Sequence, residues 1–355
     1  MRSKKTNRLL IIAPYQFGEL SDCYYWAKYA SSFGVEVTYV GYKYKNRRIK
    51  ERSCPGIKTV RVPHLRNRSL LGILFYLTCI WEITLHHHFN VIVCRMPGCE
   101  LLTKVFPSRN IILDVRTLSV SQNEDVRMRQ NQHLTALKQQ FKTCTVISEG
   151  VGETIGKPYV LLPLGAESLS DVEKDFASMK LFYIGTFNGR SLSVFIKGLA
   201  RYQKESGNHC TFDIVGGGDI EEEKAIGDTI ESSDVYGVTL HGYLNHDEAV
   251  HLFDCCNIGV CYVPVTEYYQ YQPPTKLYEY LLSGMVCLAT NTYSNAEVIN
   301  DRNGIVIEDD EDSIVRGLFE LEKRLSSFNS KDIVATSIPF KWEVIVKDYL
   351  LPLLR

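Results

Sequence analysis

Short apolar runs punctuate the chain at 9–13, 35–40, 91–94, 111–115 and 145–148, each followed by a longer stretch in which apolar positions recur every three or four residues. Runs of four to six aliphatic or β-branched residues without alternation fit strands covered on both faces, and the 3.6 period between them fits helices, so the pattern predicts parallel βαβ units. After Leu162-Pro163-Leu164-Gly165-Ala166 and an acidic stretch reaching Lys174, the rhythm restarts with runs at 181–185, 212–216, 238–242, 258–262, 286–290 and 305–307. The expected fold class is therefore α/β, two doubly wound Rossmann-like domains: residues 1–165, residues 178–335, and a linker near 165–178. Residues 340–351 read as an amphipathic helix anchored by Trp342. Ligands of such folds bind beyond the carboxyl ends of the strands, so a cleft between the domains is the expected site.

The most apolar segment is 70–85, but Glu82 interrupts it before the roughly 20 residues that a membrane span needs. Two readings stay open for it: a largely buried helix packed on a sheet, or a helix that also leans on a membrane surface, aided by Arg66 and Arg68. The apolar run at 9–13 ends at Pro14, too short for a signal peptide, and reads as a first buried strand.

Size and charge sharpen the picture. At 355 residues and 40.5 kDa the chain suits two domains better than one core. Its net charge of -1 hides a division: residues 1–165 hold 24 Lys+Arg against 11 Asp+Glu, or +13, which leaves -14 for the remainder. So basic a first half suits an anionic partner, and the interleaved stretch 42–50 favours an anionic membrane or a phospholipid-linked acceptor over nucleic acid, which is not expected to bind. Eleven cysteines, none in a Cys-x-x-Cys pair, argue against a disulfide framework and structural zinc. His86-His87-His88 cannot converge on one ion from a helix and reads as a solvated helix end; no metal is expected.

The densest chemistry lies at Pro273-Pro274-Thr275-Lys276-Leu277-Tyr278-Glu279. Lys276 and Glu279, three apart, share a helical face at a helix start, where Thr275 is expected to cap and the helix dipole adds to the ammonium. A phosphate seat beside an acceptor for hydroxyls describes a nucleotide. Gly185-Thr186 and Arg190, after the strand at 181–185, let the backbone approach a ligand and offer a fork to a diphosphate. Gly216 and Gly217 form either a simple tight turn or a close pass for a base or phosphate. Tyr262 reads either as a base-stacking aromatic or as a rim tyrosine. Asp114, beside Arg116, is either a base for an acceptor hydroxyl or a structural carboxylate; Asn7, Tyr15, Glu19 and Asp22 are further candidates for acceptor contact.

The second half resembles the GT-B glycosyltransferases, specifically the retaining, metal-independent group that builds bacterial surface polysaccharides. The likeness rests on Tyr183-Ile184-Gly185-Thr186-Phe187-Asn188-Gly189-Arg190, Asp213-Ile214-Val215-Gly216-Gly217-Gly218, His241-Gly242-Tyr243, the segment from Gln272 to Gly284, and Ala289-Thr290-Asn291, over most of residues 178–310. It implies a GT-B arrangement of two domains across a cleft, with residues 336–355 returning to the first domain. It implies further that Glu279 holds the donor ribose, that Arg190 and Lys276 meet the diphosphate, with the backbone around Thr275 and Leu277 nearby, and that no cofactor is used beyond the nucleoside-diphosphate sugar. Many relatives carry Glu-x7-Glu; eight residues before Glu279 this chain has Tyr271. The implied activity is transfer of a hexose-type sugar to a glycan or lipid-linked acceptor, by a cytoplasmic protein peripheral to the inner membrane. Inversion would call on Asp114 as base. A nucleotide-sugar epimerase and a non-catalytic partner subunit are the alternatives.

Overall fold

The computed structural model describes residues 7–44, 51–244 and 246–355. The chain divides into two compact units, one of residues 1–165 with 342–355 and the other of residues 166–341.

Unit 1 is built on seven parallel strands: β1 (Arg8–Ile12), β2 (Glu36–Lys43), β3 (Ile57–Pro63), β4 (Asn90–Cys94), β5 (Asn110–Val115), β6 (Thr143–Val146) and β7 (Val160–Leu161). They lie in the order β3-β2-β1-β4-β5-β6-β7. Its helices are α1 (Ser21–Ser32), α2 (Arg68–Leu85), α3 (Leu101–Val105), α4 (Glu124–Lys138) and α5 (Glu149–Ile155). Strands β4 and β5 are buried at every residue, as continuous apolar runs between two helix layers should be. The edge strand β3 escapes a reading by apolar runs because Lys58, Thr59 and Arg61 interrupt it, and β7 is only two residues long.

Unit 2 repeats the scheme with β8 (Lys180–Thr186), β9 (Thr211–Gly217), β10 (Val238–Gly242), β11 (Ile258–Cys261), β12 (Val286–Thr290) and β13 (Gly304–Ile307), all parallel and ordered β10-β9-β8-β11-β12-β13. Helices α6 (Leu192–Ser206), α7 (Ile220–Ser232), α8 (His246–Cys255), α9 (Thr275–Leu282), α10 (Tyr293–Ala296), α11 (Glu311–Arg324) and α12 (Ser330–Ser337) cover it. Both units are thus doubly wound α/β sheets, as the spacing of the apolar runs predicts.

Three expectations need correction. The stretch expected as a linker is packed on unit 2: Lys174 is buried, its Nζ donates to Phe253 O at 2.6 Å, and its amide donates to Ser330 Oγ. The terminal helix is shorter than the amphipathic pattern suggests, with α13 (Trp342–Ile345) giving way to a wider π turn over Val346–Leu350. Trp342 nevertheless anchors it, buried and stacked on Tyr25 with ring centroids 5.5 Å apart, while Asn90 and Asn110 clasp the backbone of Arg355 and Leu353. The His tract does not simply face solvent. His86 sits by Lys58, whereas His88 is buried with neither ring nitrogen partnered among the described residues, and burial lowers its pKa to about 4.

Candidate nucleotide site

In unit 2 the strand order reverses between β8 and β11, so the loops leaving those two carboxyl ends bound a crevice at the topological switch point. Helix α9 is held against this edge by its apolar face, with Leu277, Tyr278, Tyr280, Leu281 and Leu282 buried. Tyr280 fixes the register: its hydroxyl accepts from Ile184 N at 3.0 Å, and its ring lies so close on Gly259 that a Cβ there would come within 2.2 Å of ring carbon. With that face committed, Lys276 and Glu279 occupy the opposite one, half-buried and one turn apart.

Lys276 does not extend into water. Its ammonium rests 3.5 Å from the centroid of the Tyr183 ring, whose hydroxyl donates to Thr186 O. Desolvation there, with the like charge of Arg190 adding to it, lowers the Lys276 pKa to about 7, while Cys261 and Glu279 oppose the shift. Gly185 closes the seat, since a Cβ at this position would stand 3.5 Å from Lys276 Nζ. Arg190, at the end of the loop after β8, lies 4.3 Å over the Tyr269 ring and leaves one buried η nitrogen without a partner among the described residues. Such a group is costly unless a ligand or water completes it. The structure therefore gathers Lys276, Arg190, Gly185, Thr186 and Glu279 around one crevice, two cations among them.

Other expected residues fall elsewhere. Thr275 is not the cap of α9; Pro274 occupies that place and offers no side-chain cap bond to the first turn. Leu277 lies in the core and its N–H already donates to Pro274 O at 3.1 Å. Tyr262 is no base-stacking aromatic: it is buried, packs 5.6 Å from Phe195, and donates to Asp309 O. Gly216 is small for the sake of its neighbour strand, because a Cβ would meet Gly185 O at 1.8 Å. The turn after Gly217 is filled from within the chain, Gly218 N donating to Glu223 Oε1 and Asp219 N to Asn188 Oδ1. His241 and Asp213, 2.7 Å apart, tie β10 to β9 rather than joining the crevice. Tyr183 and Tyr269, which seat the two cations, escape a reading for charge because nothing in local spacing marks an aromatic as a cation platform. Tyr271 packs edge-on against Tyr293 at 5.4 Å.

In unit 1, Asp114 is the penultimate residue of β5 and is buried, accepting from Thr145 Oγ1 at 2.8 Å and lying 3.8 Å from Arg116, which is itself bonded to Asp22 and to Leu162 O. An acceptor hydroxyl has no path to a carboxylate closed in this way, so the reading of Asp114 as a base gives way to the structural one. Burial raises its pKa from 3.8 to about 6, against the pull of Arg116 and Thr145. The folded chain thus holds this proton more tightly than the unfolded chain, and its contribution, full only below about pH 4, is lost as pH rises from about 4 through 6, at a cost of roughly 3 kcal/mol. Asp114→Asn carries no such proton. Urea titrations at pH 4 and pH 7.5 are expected to show the wild type losing about that much relative to the variant; an unchanged gap would mean an ordinary, solvated carboxylate. Of the remaining acceptor candidates, Glu19 accepts from Gln16 N and Tyr15 is exposed.

Residues 178–323 match the family model described as Glycosyl transferases group 1. No curated protein matches by sequence. Among solved structures, sucrose-phosphate synthase from Thermosynechococcus elongatus superposes with a TM-score of 0.74 at 14% identity, over 98% of each chain. Anabaena Alr3699/HepE, solved with UDP and glucose, gives 0.72 at 11% identity over 98% of this chain and 99% of that one. The lipopolysaccharide outer core galactosyltransferase WaaB gives 0.67 at 15% identity, over 97% and 98%. At such identities the likeness establishes the fold. Residues 178–323 match a group 1 glycosyltransferase domain, and the chain as a whole has the two-domain α/β fold of these solved structures.

Proposed function

We propose that the crevice at the β8–β11 switch point binds a nucleoside-diphosphate sugar, and that the protein transfers this sugar to a glycan or lipid-linked acceptor of a bacterial surface polysaccharide. The observation that carries the reading is the pairing of a desolvated ammonium, Lys276, with the partnerless η nitrogen of Arg190 at one strand-end crevice. Two cations held close in a partly dry site repel one another and await an anion; a diphosphate supplies two negative groups. Glu279, a turn further along the same face, takes the ribose hydroxyls. UDP and UDP-glucose, which are bound in the Anabaena structures, are ligands of this class, and the lipopolysaccharide outer core galactosyltransferase WaaB, with WaaG, a glycosyltransferase of similar fold involved in lipopolysaccharide biosynthesis, suggests the acceptor class.

When the glycosidic bond breaks, negative charge accumulates on the departing diphosphate, and Lys276 and Arg190 stand where it develops, so they stabilise the transition state more than the ground state. This arrangement supports a retaining, metal-independent transfer in which no protein nucleophile takes part and the leaving phosphate assists the incoming hydroxyl. The burial of Asp114 speaks against the one base considered for inversion. Work on a lipid-linked acceptor would place the protein on the cytoplasmic face of the inner membrane.

A screen of UDP-, GDP- and ADP-sugars for release of free nucleotide, with calorimetry of UDP and GDP binding, tests the proposal. One nucleotide should bind, and Glu279→Ala should weaken it about ten- to a hundredfold through the lost charged hydrogen bonds. A chain that binds no nucleotide would overturn the reading in favour of a non-catalytic subunit.

A further inference from the structure

Helix α2 carries two apolar faces. Leu71, Phe75, Cys79 and Ile83 are buried, whereas Leu70, Ile73, Leu74, Leu77, Trp81 and Leu85 form a second stripe on the opposite side that the fold leaves in water. At 100° per residue the six span an arc of about 120°. Ile73, Leu77 and Trp81 are 58%, 57% and 62% exposed, so the reading of α2 as a largely buried helix does not hold. An apolar strip of this length on a monomer's surface marks an interaction site.

Polar and charged groups around the stripe say what covers it. Within α2 the only charged side chains are Arg68, at the first position, and Glu82, which is buried against Lys58. Thr78, at the margin of the stripe, and Thr84, within it, donate their hydroxyls back to Leu74 O and Ile80 O at 2.8 Å, which spares the face a free hydroxyl donor. Arg66 and Arg68 are exposed at one end, His86 and His87 at the other. Helix α3, near Tyr76 of α2, exposes Leu101 and Val105, and the groove behind it, of about 1030 Å³, is lined by Arg95, Lys104, Arg129 and His133 against the single acid Glu100. The +13 balance of residues 1–165 belongs to the same unit. An apolar strip without charges, bordered by cations on a basic body, complements an anionic bilayer, with acyl chains meeting the strip and lipid phosphates meeting the arginines.

We infer that α2 docks unit 1 on an anionic lipid bilayer, lying flat with Ile73, Leu77 and Trp81 in the acyl boundary. The 18-residue length of α2 and its covered opposite face suit lying on the surface rather than crossing it. Docking is read without any turnover, so its failure and that of the nucleotide site are separable.

Of the three tryptophans, Trp26 and Trp342 are buried and Trp81 alone is exposed, so the chain carries its own reporter. Adding phosphatidylglycerol vesicles to the full chain is expected to shift its emission to the blue and to shield it from acrylamide, and in flotation the protein should rise with the vesicles, less so at high salt. Ile73→Ser with Leu77→Ser, both at exposed positions, should lower partitioning at least tenfold without altering the thermal midpoint. Arg66→Ala with Arg68→Ala should weaken binding to the anionic vesicles and leave the blue shift of whatever remains bound. Unchanged Trp81 emission with vesicles would overturn the docking. So would a concentration-dependent dimer in sedimentation velocity that Leu77→Ser abolishes, in a chain that does not float, since a second copy would then be the occupant.

Discussion

Lys276→Ala is expected to lower kcat/KM for sugar transfer by two to three orders of magnitude, the scale on which loss of one preorganised donor at a developing oxyanion is felt. Lys276→Arg should recover little of it. The seat is a Tyr183 ring 3.5 Å from the ammonium with Gly185 alongside, and a planar guanidinium needs more room than a point charge. Both variants can be compared by initial rates and by calorimetry of UDP or GDP binding. A loss of less than tenfold would mean that the diphosphate rests elsewhere.

The same residue predicts a pH profile. With its pKa lowered to about 7 by desolvation and by Arg190, Lys276 is partly neutral at pH 7 in the free protein, and a bound diphosphate must restore its proton. Nucleotide affinity should fall by as much as tenfold per unit above pH 7, while below that range protonation of a terminal phosphate, with a second pKa of about 6, works the other way. The optimum therefore lies near neutrality, and Lys276→Met should flatten the alkaline side. Stability moves with the opposite sign. Above pH 7 the folded chain has released a proton that the unfolded chain keeps until about 10.4, so the wild type gains stability with rising pH relative to Lys276→Met. At pH 7 the variant should be inactive and no less stable, because burying that ammonium costs folding energy that only ligand binding recovers.

How much of this could be read beforehand depended on whether the deciding force was local. Runs such as Val91-Ile92-Val93 must be buried on both sides wherever they sit, so the strand rhythm and doubly wound class were legible. That Lys276 and Arg190 would lie by the strand ends of the second unit was legible because each stands just before or at the start of a helix that follows a buried strand. Tyr262 and Leu277 were misread because a residue just past a strand end turns toward crevice or core according to packing on Phe195 or on the sheet, which no spacing records. Asp114 looked available because the three residues that close it, Thr145, Arg116 and Asp22, meet only after three strands and a helix assemble. For α2, composition announced a sticky helix without saying that one of its faces would stay bare.

The second large effect is expected of Gly216→Ala. Gly185 and Gly216 face each other across β8 and β9 with φ of +152° and +151°, and a Cβ on Gly216 would lie 1.8 Å from Gly185 O and 2.9 Å from the Phe187 ring. Neither neighbour can yield: one is backbone and the other is buried in the core. Overpacking and a side chain forced into a positive-φ conformation each cost about 1 to 3 kcal/mol, so the variant should lose about 3 to 5 kcal/mol in urea unfolding. Gly217→Ala supplies the contrast, since its Cβ would meet only the end of Glu223 at 3.3 Å and its φ is ordinary, with an expected cost below about 1 kcal/mol. The damage should also travel. Pushing β8 and β9 apart displaces Gly185, which closes the seat of Lys276, and the loop that ends in Arg190, so nucleotide affinity should fall at least tenfold in whatever fraction still folds. Equal stability of the two alanine variants would show that the strand ends have slack, and the rigid spacing from which the two-cation site is argued would go with it.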